Sequence, residues 1–114
     1  MTRRVDSLLP EVRQGLKEME KSLEHRTRLA LCVLLSRSDS MSFSRLKELV
    51  EESDGSLGAH LAKLEEEGFL AVRKEFRERK PVTWYALTKR GKEALGSHLE
   101  ALSRLIRQAS GRRA

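Results

Sequence analysis

Apolar residues recur along this chain at steps of three and four, then at steps of two, then again at three and four. Leu9, Val12, Leu16, Met19 and Leu23 form the first stripe, and Pro10 can open that helix because the first turn has no use for its missing N–H. A second helix, Arg26 to Ser36, is apolar almost all round through Leu29, Ala30, Cys32, Val33, Leu34 and Leu35, which predicts a buried central position. Ser36 to Ser42 is a serine-rich turn. A third helix starts near Phe43, capped by Ser42 or Ser44, with Phe43, Leu46, Leu49 and Val50 inward. Glu51 to Gly55 interrupts it, and Ser53 or Asp54 can cap a fourth helix carrying Leu57, Leu61 and Leu64 on one side. Gly68 supplies the left-handed stop and Phe69 the apolar contact beyond it.

The period then changes. Leu70, Val72, Phe76, Val82, Trp84, Tyr85 and Leu87 are strand formers around a polar centre, Arg77 to Lys80, closed by Pro81, which predicts a β-hairpin. Thr88 caps a last long helix with Leu95, Leu99, Leu102, Ile106 and Ala109 in a near-heptad stripe, and Gly111 to Ala114 reads as a frayed tail. The expected fold class is mostly α with a small antiparallel β-hairpin.

Charge sharpens this picture. Between Ala71 and Lys92 lie eight basic residues against Glu75 and Glu78, so this stretch carries the whole excess of +6 and the rest of the chain is balanced. A cationic ribbon on a neutral body is the footprint of a protein that touches a polyanion. The turn between the third and fourth helices is too short for side-by-side stacking, so they should cross steeply as a helix-turn-helix. A helix that fits the major groove, flanked by a basic ribbon that reaches phosphates or the minor groove, is a two-part nucleic-acid reader.

Composition bounds the alternatives. At 114 residues the chain is long enough for one core without disulfides or metal. The single Cys32 sits in the most apolar helix and reads as a core residue. His25, His60 and His98 fall on different helices without ligand spacing, so no metal site is expected, and no glycine-rich phosphate loop or nucleophile–base pair points to a cofactor or an enzyme. Arg3, Arg4 and Asp6 break any secretory signal, and the longest apolar run, Leu29 to Leu35, is seven residues. A membrane span needs roughly 20, so a cytoplasmic protein is expected.

The ordered motifs Arg28-Leu29, Ser42-Phe43-Ser44-Arg45-Leu46-Lys47, Asp54-Gly55-Ser56-Leu57-Gly58-Ala59-His60-Leu61, Leu64-Glu65-Glu66-Glu67-Gly68-Phe69-Leu70, Arg73-Lys74-Glu75-Phe76 and Pro81-Val82-Thr83-Trp84-Tyr85-Ala86-Leu87-Thr88-Lys89-Arg90-Gly91 resemble the compact winged helix-turn-helix transcriptional regulators related to the MarR and ArsR groups. The resemblance covers about Glu24 to Leu102. It implies a homodimeric DNA-binding repressor or activator whose recognition helix is the one at about 54–67, with a basic wing at about 71–88. It implies nothing about a small-molecule effector. The corresponding organisation is an N-terminal helix for dimerisation or packing (1–23), a DNA-binding domain (24–91) and a C-terminal dimerisation helix with its tail (92–114).

Placing the recognition helix on 100° steps, with Leu57, Leu61 and Leu64 inward, turns Ala59 and Lys63 outward and puts Ser56 and His60 on one flank. Ser56, Ala59, His60 and Lys63 are the candidate readers of base edges. Arg77, Arg79 and Lys80 at the wing tip suit a minor groove, and Arg73 and Lys74 on the rising strand suit the backbone. Ser44, Arg45 and Lys47 are second-rank phosphate contacts. Leu9, Val12, Leu16 and Met19 with Leu95, Leu99, Leu102 and Ile106 form two seams that either cover each other or pair across a two-fold axis, placing recognition helices about 34 Å apart. A winged helix serving as a protein-interaction module, or as an RNA binder, is the competing reading.

Overall fold

The computed structural model describes the backbone of residues 2–111 and the side chains of residues 6–111. The elements are α1 (Thr2–Glu18), a single 3-10 turn at Lys21–Leu23, α2 (Arg26–Leu35), β1 (Met41–Ser42), α3 (Phe43–Val50), α4 (Asp54–Glu66), β2 (Leu70–Arg77), β3 (Lys80–Leu87) and α5 (Lys89–Ser110). Residues 112–114 of the expected frayed tail lie outside the described residues.

Local chemistry accounts for most of these boundaries. Ser42, Ser53 and Thr88 each cap a helix by accepting from the backbone N–H three residues on. His25 caps α2 through its ring Nδ1, which accepts from the Thr27 N–H at 3.1 Å. Glu51 ends α3 in the left-handed region at φ 53°, and Gly68 does the same after α4 at φ 81°. One boundary corrects the reading of the sequence: α1 begins well before Pro10, which lies inside the helix. Proline removes the hydrogen bond to the Asp6 carbonyl, but Asp6 and Pro10 are both exposed, so water can replace that partner.

Leu23, Leu31, Cys32, Leu35, Leu46, Leu57, Leu61, Leu64, Phe69, Leu70, Leu87 and Leu95 form one core. It is the centre of the α2–α3–α4 unit, closed on one side by a three-stranded antiparallel sheet of order β1-β3-β2. The hairpin is longer than its loop suggested: Arg77 pairs with Lys80, so the turn is only Glu78 and Arg79. β1 adds a short third strand that the sequence did not announce, with Ser42 opposite Trp84. Leu49, expected inward, is exposed. Burial pushes the Cys32 thiol up to about 11, which keeps it protonated and unreactive.

The two terminal stripes pack against each other within one chain. α1 lies along α5, Glu18 and Arg104 pair at 3.0 Å, and Gly15 admits the Leu105 side chain so closely that an added Cβ would lie 3.0 Å from it. Neither stripe stays whole. Leu23 and Leu95 turn into the core of their own chain, which removes Leu95 from the expected seam between subunits. The helix pair projects from the core, giving extents of 65 × 26 × 21 Å and a radius of gyration of 17.5 Å. A compact chain of this length would have about 13 Å.

Candidate nucleic-acid interface

Ala59, Ala62 and Lys63 form the exposed side of α4, opposite the buried Leu57, Leu61 and Leu64. Lys63 reaches Glu67 at 3.3 Å on its own helix, an exposed pair that a competing phosphate can displace. Lys47 pairs with Asp54 at 2.7 Å and thereby ties α3 to the first turn of α4. Arg45 pairs with Glu48 at 3.0 Å.

Ser56 and His60, on the flank of α4, are half-buried and engaged inside the molecule. The Ser56 hydroxyl donates to Glu52 at 2.8 Å, and the Thr27 hydroxyl donates to the other oxygen of that carboxylate at 2.7 Å. These two bonds, Thr27 foremost and aided by the nearby His60 and His25, hold Glu52 below the usual carboxylate range against the opposing effect of burial. The Arg28 guanidinium donates to His60 Nδ1 at 3.2 Å, and the His25 and His60 ring centroids are 4.3 Å apart. Burial, His25 and Arg28 all hold His60 below its ordinary value, with Glu52 opposing. A neutral His60 with Nδ1 accepting carries its proton on Nε2, so the ring's second nitrogen is a donor.

The wing sorts by strand face. Arg73, Glu75 and Arg77 alternate onto the Trp84 side of the hairpin. Glu75 pairs with both arginines, and their guanidinium carbons stand 5.8 and 5.3 Å from the Trp84 ring centre. Lys74 lies on the other face, and Lys74, Arg79 and Lys80 are exposed. Phe76, expected to serve the sheet, is 77% exposed beside the tip. The wing therefore presents an aromatic surface together with its charges.

A groove of about 400 Å³ joins the wing to the start of α3, with Ser44, Arg77, Pro81, Thr83 and Trp84 on its walls. Ser44 and Arg77, expected separately from the sequence, thus border one surface. Arg90 serves the fold, because it donates to the Glu67 carbonyl at 2.9 Å and lies over Phe69, locking the end of α4 to the start of α5. The contacts of Arg28 and Glu52 escape a reading of the sequence, because their partners come from other elements. Among the described residues, no group of three or more His, Cys, Asp or Glu is placed to hold a metal ion, and no helix is long and apolar enough to cross a membrane.

Comparison with known proteins agrees with this geometry. The family model described as "Winged helix DNA-binding domain" matches residues 27–106. No curated protein matches. A transcriptional regulator homologue from Pyrococcus horikoshii OT3 superposes with a TM-score of 0.75 at 25% identity, over 85% of this chain and 94% of that one. YusO from Bacillus subtilis gives 0.71 at 19% identity, over 92% and 74%. Sco3205, a MarR family transcriptional regulator from Streptomyces coelicolor solved in complex with DNA, gives 0.64 at 15% identity, over 96% and 72%. The chain belongs to the winged helix DNA-binding domain family and has the winged helix-turn-helix fold of MarR-related regulators.

Proposed function

We propose that this protein is a cytoplasmic, non-enzymatic transcriptional regulator that binds specific duplex DNA as a homodimer. In this reading α4 enters the major groove and the β2–β3 wing meets the adjacent minor groove or its phosphates. The observation that carries it is the outward strip of α4, where small Ala59 stands beside Lys63, followed within one short connection by the exposed cations Lys74, Arg79 and Lys80. Small residues allow a helix backbone to approach base edges, and lysine suits a phosphate or a guanine edge. Ser56 and the Nε2 donor of His60 contribute from the flank, while Arg73, Arg77, Ser44, Arg45 and Lys47 dock the backbone.

The homodimer rests on what α1 and α5 leave uncovered. After packing on each other, Leu16 remains 58% exposed, Leu99 42% and Ile106 65%, with Leu8 and Leu9 also exposed. Val12, Met19 and Leu102 are partly covered and border the same helices. A second copy of this helix pair is the self-complementary cover that two-fold symmetry provides.

Selection of bound fragments from a random duplex pool tests the proposal. A two-fold symmetric consensus is expected, with affinity falling about 10³–10⁵-fold between 50 and 200 mM salt if six to ten phosphates are neutralised. Replacing Arg77, Arg79 and Lys80 with alanine should weaken binding to every duplex and flatten that dependence. Recovery of no duplex, or a preference for structured RNA, overturns the proposal.

A further inference from the structure

Arg28 joins the core unit to the terminal helix pair at the elbow, as Arg90 joins them at the C-terminal end of α4. Its Nε donates to the Ser22 carbonyl at 2.6 Å, and its Nη1 donates to His60 Nδ1 on α4 at 3.2 Å. Ser22 belongs to the 3-10 turn at Lys21–Leu23, the elbow by which α1 enters the core unit. That elbow is tied to α5 on its other side, because the Glu20 N–H donates to Nδ1 of the buried His98 at 3.0 Å. A continuous polar path therefore runs from α5 through the elbow and Arg28 to the exposed helix α4.

We propose that Arg28 is a positioning residue that fixes the angle of α4 relative to the α1–α5 helix pair, and so sets the half-site spacing that two copies can read. The spacing part rests on the homodimeric DNA-binding reading above. Leu23 and Leu95 also join the elbow and α5 to the core, but apolar contact is non-directional and tolerates small rotations, and Arg90 pins only the C-terminal end of α4, about which the helix can still swing. A planar guanidinium with one N–H committed to each side fixes a direction. The second tie on this flank, Thr27 and Ser56 sharing Glu52, holds α4 to α2 alone and does not reach the elbow.

The test measures the angle first, without DNA. Spin labels at Ala62→Cys on α4 and Ser97→Cys on α5, both exposed, report the distance between the two parts. Cys32 is fully buried with its thiol pushed up to about 11, so it escapes labelling. Dilution with unlabelled chain restricts the reading to distances within one chain. A single narrow distribution is expected for the parent, and Arg28→Met, which keeps length but donates nothing, should widen it about twofold. Should that variant fail to melt cooperatively, Arg28→Lys, which keeps the charge but lacks the rigid planar fork, is measured instead and should also widen it. An unchanged width in a folded variant overturns the proposal.

The second arm uses paired half-sites moved apart by about half a DNA turn, roughly 5 bp. The parent should prefer one spacing by about tenfold, and the variant should lose that preference, whatever half-site affinity it also loses through the freed His60. A purely structural role, or the loss of the His60 contact alone, would lower affinity at every spacing alike and keep the preference. If the parent has no spacing preference, the homodimeric reading fails, and the spin-label width still decides the role of Arg28.

Discussion

Glu75 accepts the indole N–H of Trp84 at 2.8 Å across the β2–β3 ladder, and the same carboxylate holds the guanidinium groups of Arg73 and Arg77. One acid thus organises two of the wing's cations over one aromatic ring. Burial opposes its ionisation, but the indole and the two arginines outweigh burial and hold it below the usual carboxylate range. Glu75→Gln preserves an acceptor for Trp84 and releases both arginines. We expect non-specific duplex affinity to rise and the slope of log K against log salt to steepen by about one, with stability changed by less than about 1 kcal/mol because the pairs are exposed. Duplex titrations at several salt concentrations check the slope, and an unaltered slope would mean that Arg73 and Arg77 do not meet phosphates.

The wing tip stores a different kind of energy. Glu78 and Arg79 adopt φ 50° and 68°, the left-handed pair that two-residue hairpin turns reserve for Asn-Gly. Each such residue costs about 1–2 kcal/mol when it carries a side chain. The double change Glu78→Asn with Arg79→Gly should raise the melting temperature through a gain of about 1–2 kcal/mol, and it should weaken DNA binding because Arg79 is lost. The single change Glu78→Asn should keep part of the stability gain without that loss. Thermal melts beside duplex titrations separate the two effects. A wing that tolerates strain at its tip for the sake of a cation there shows opposite signs in the two measurements.

Two histidines make stability depend on pH. His98 is 1% exposed and accepts from the Glu20 N–H through Nδ1; burial lowers it, with Glu24 and Glu20 opposing. His60 is lowered by burial, His25 and Arg28, as described above. Both groups bind fewer protons folded than unfolded, so their contribution is complete above the ordinary value of about 6.5 and is lost as pH falls through the lowered folded values. Glu52 and Glu75 shift in the same direction, but their contribution fades only at more acidic pH, below the ordinary carboxylate value. Urea midpoints should therefore fall between pH 7.5 and 5.5. In His98→Gln, an uncharged stand-in, the midpoints should fall less steeply over that range even if they start lower. Equal slopes in the two proteins would remove His98 from the account.

Most of the fold was legible because its signals are local. Leu57, Leu61 and Leu64 recur at helical spacing and all three are buried, the caps Ser42, Ser53 and Thr88 act on neighbours three residues away, and Gly68 stops α4 by its own φ. What stayed hidden depends on partners far along the chain. Met41–Ser42 is too short for any period to mark it, and it is a strand only because β3 offers it backbone groups. The terminal stripes looked continuous, yet Leu23 and Leu95 leave them for the core while Leu99 and Ile106 stay outside. For the candidate site, the outward placement of Ala59 and Lys63 follows from helical geometry alone. The engagement of His60 with Arg28, and of Ser56 with Glu52, joins separate elements, and no spacing rule encodes it.

The uncovered apolar residues on α1 and α5 make the last prediction. Leu16 and Ile106 protrude from helices already packed on each other, so neither belongs to the core and each can change without opening it. Full burial of such a side chain is worth about 1.5–3 kcal/mol, and two-fold symmetry uses every position twice. Leu16→Asp with Ile106→Asp therefore removes several such contributions and places like charges opposite one another. Sedimentation should show a dimer for the parent and a monomer for the variant at micromolar concentration. The monomer should keep its helical circular dichroism, because Leu57, Leu61, Leu64 and the rest of the core are untouched. Its affinity for an isolated half-site should hold, while affinity for paired half-sites should fall by a factor of about 10² or more, since the second site no longer binds as part of one body. A variant that stays dimeric places the partner elsewhere on the molecule, and a parent that sediments as a monomer leaves this apolar face to another protein.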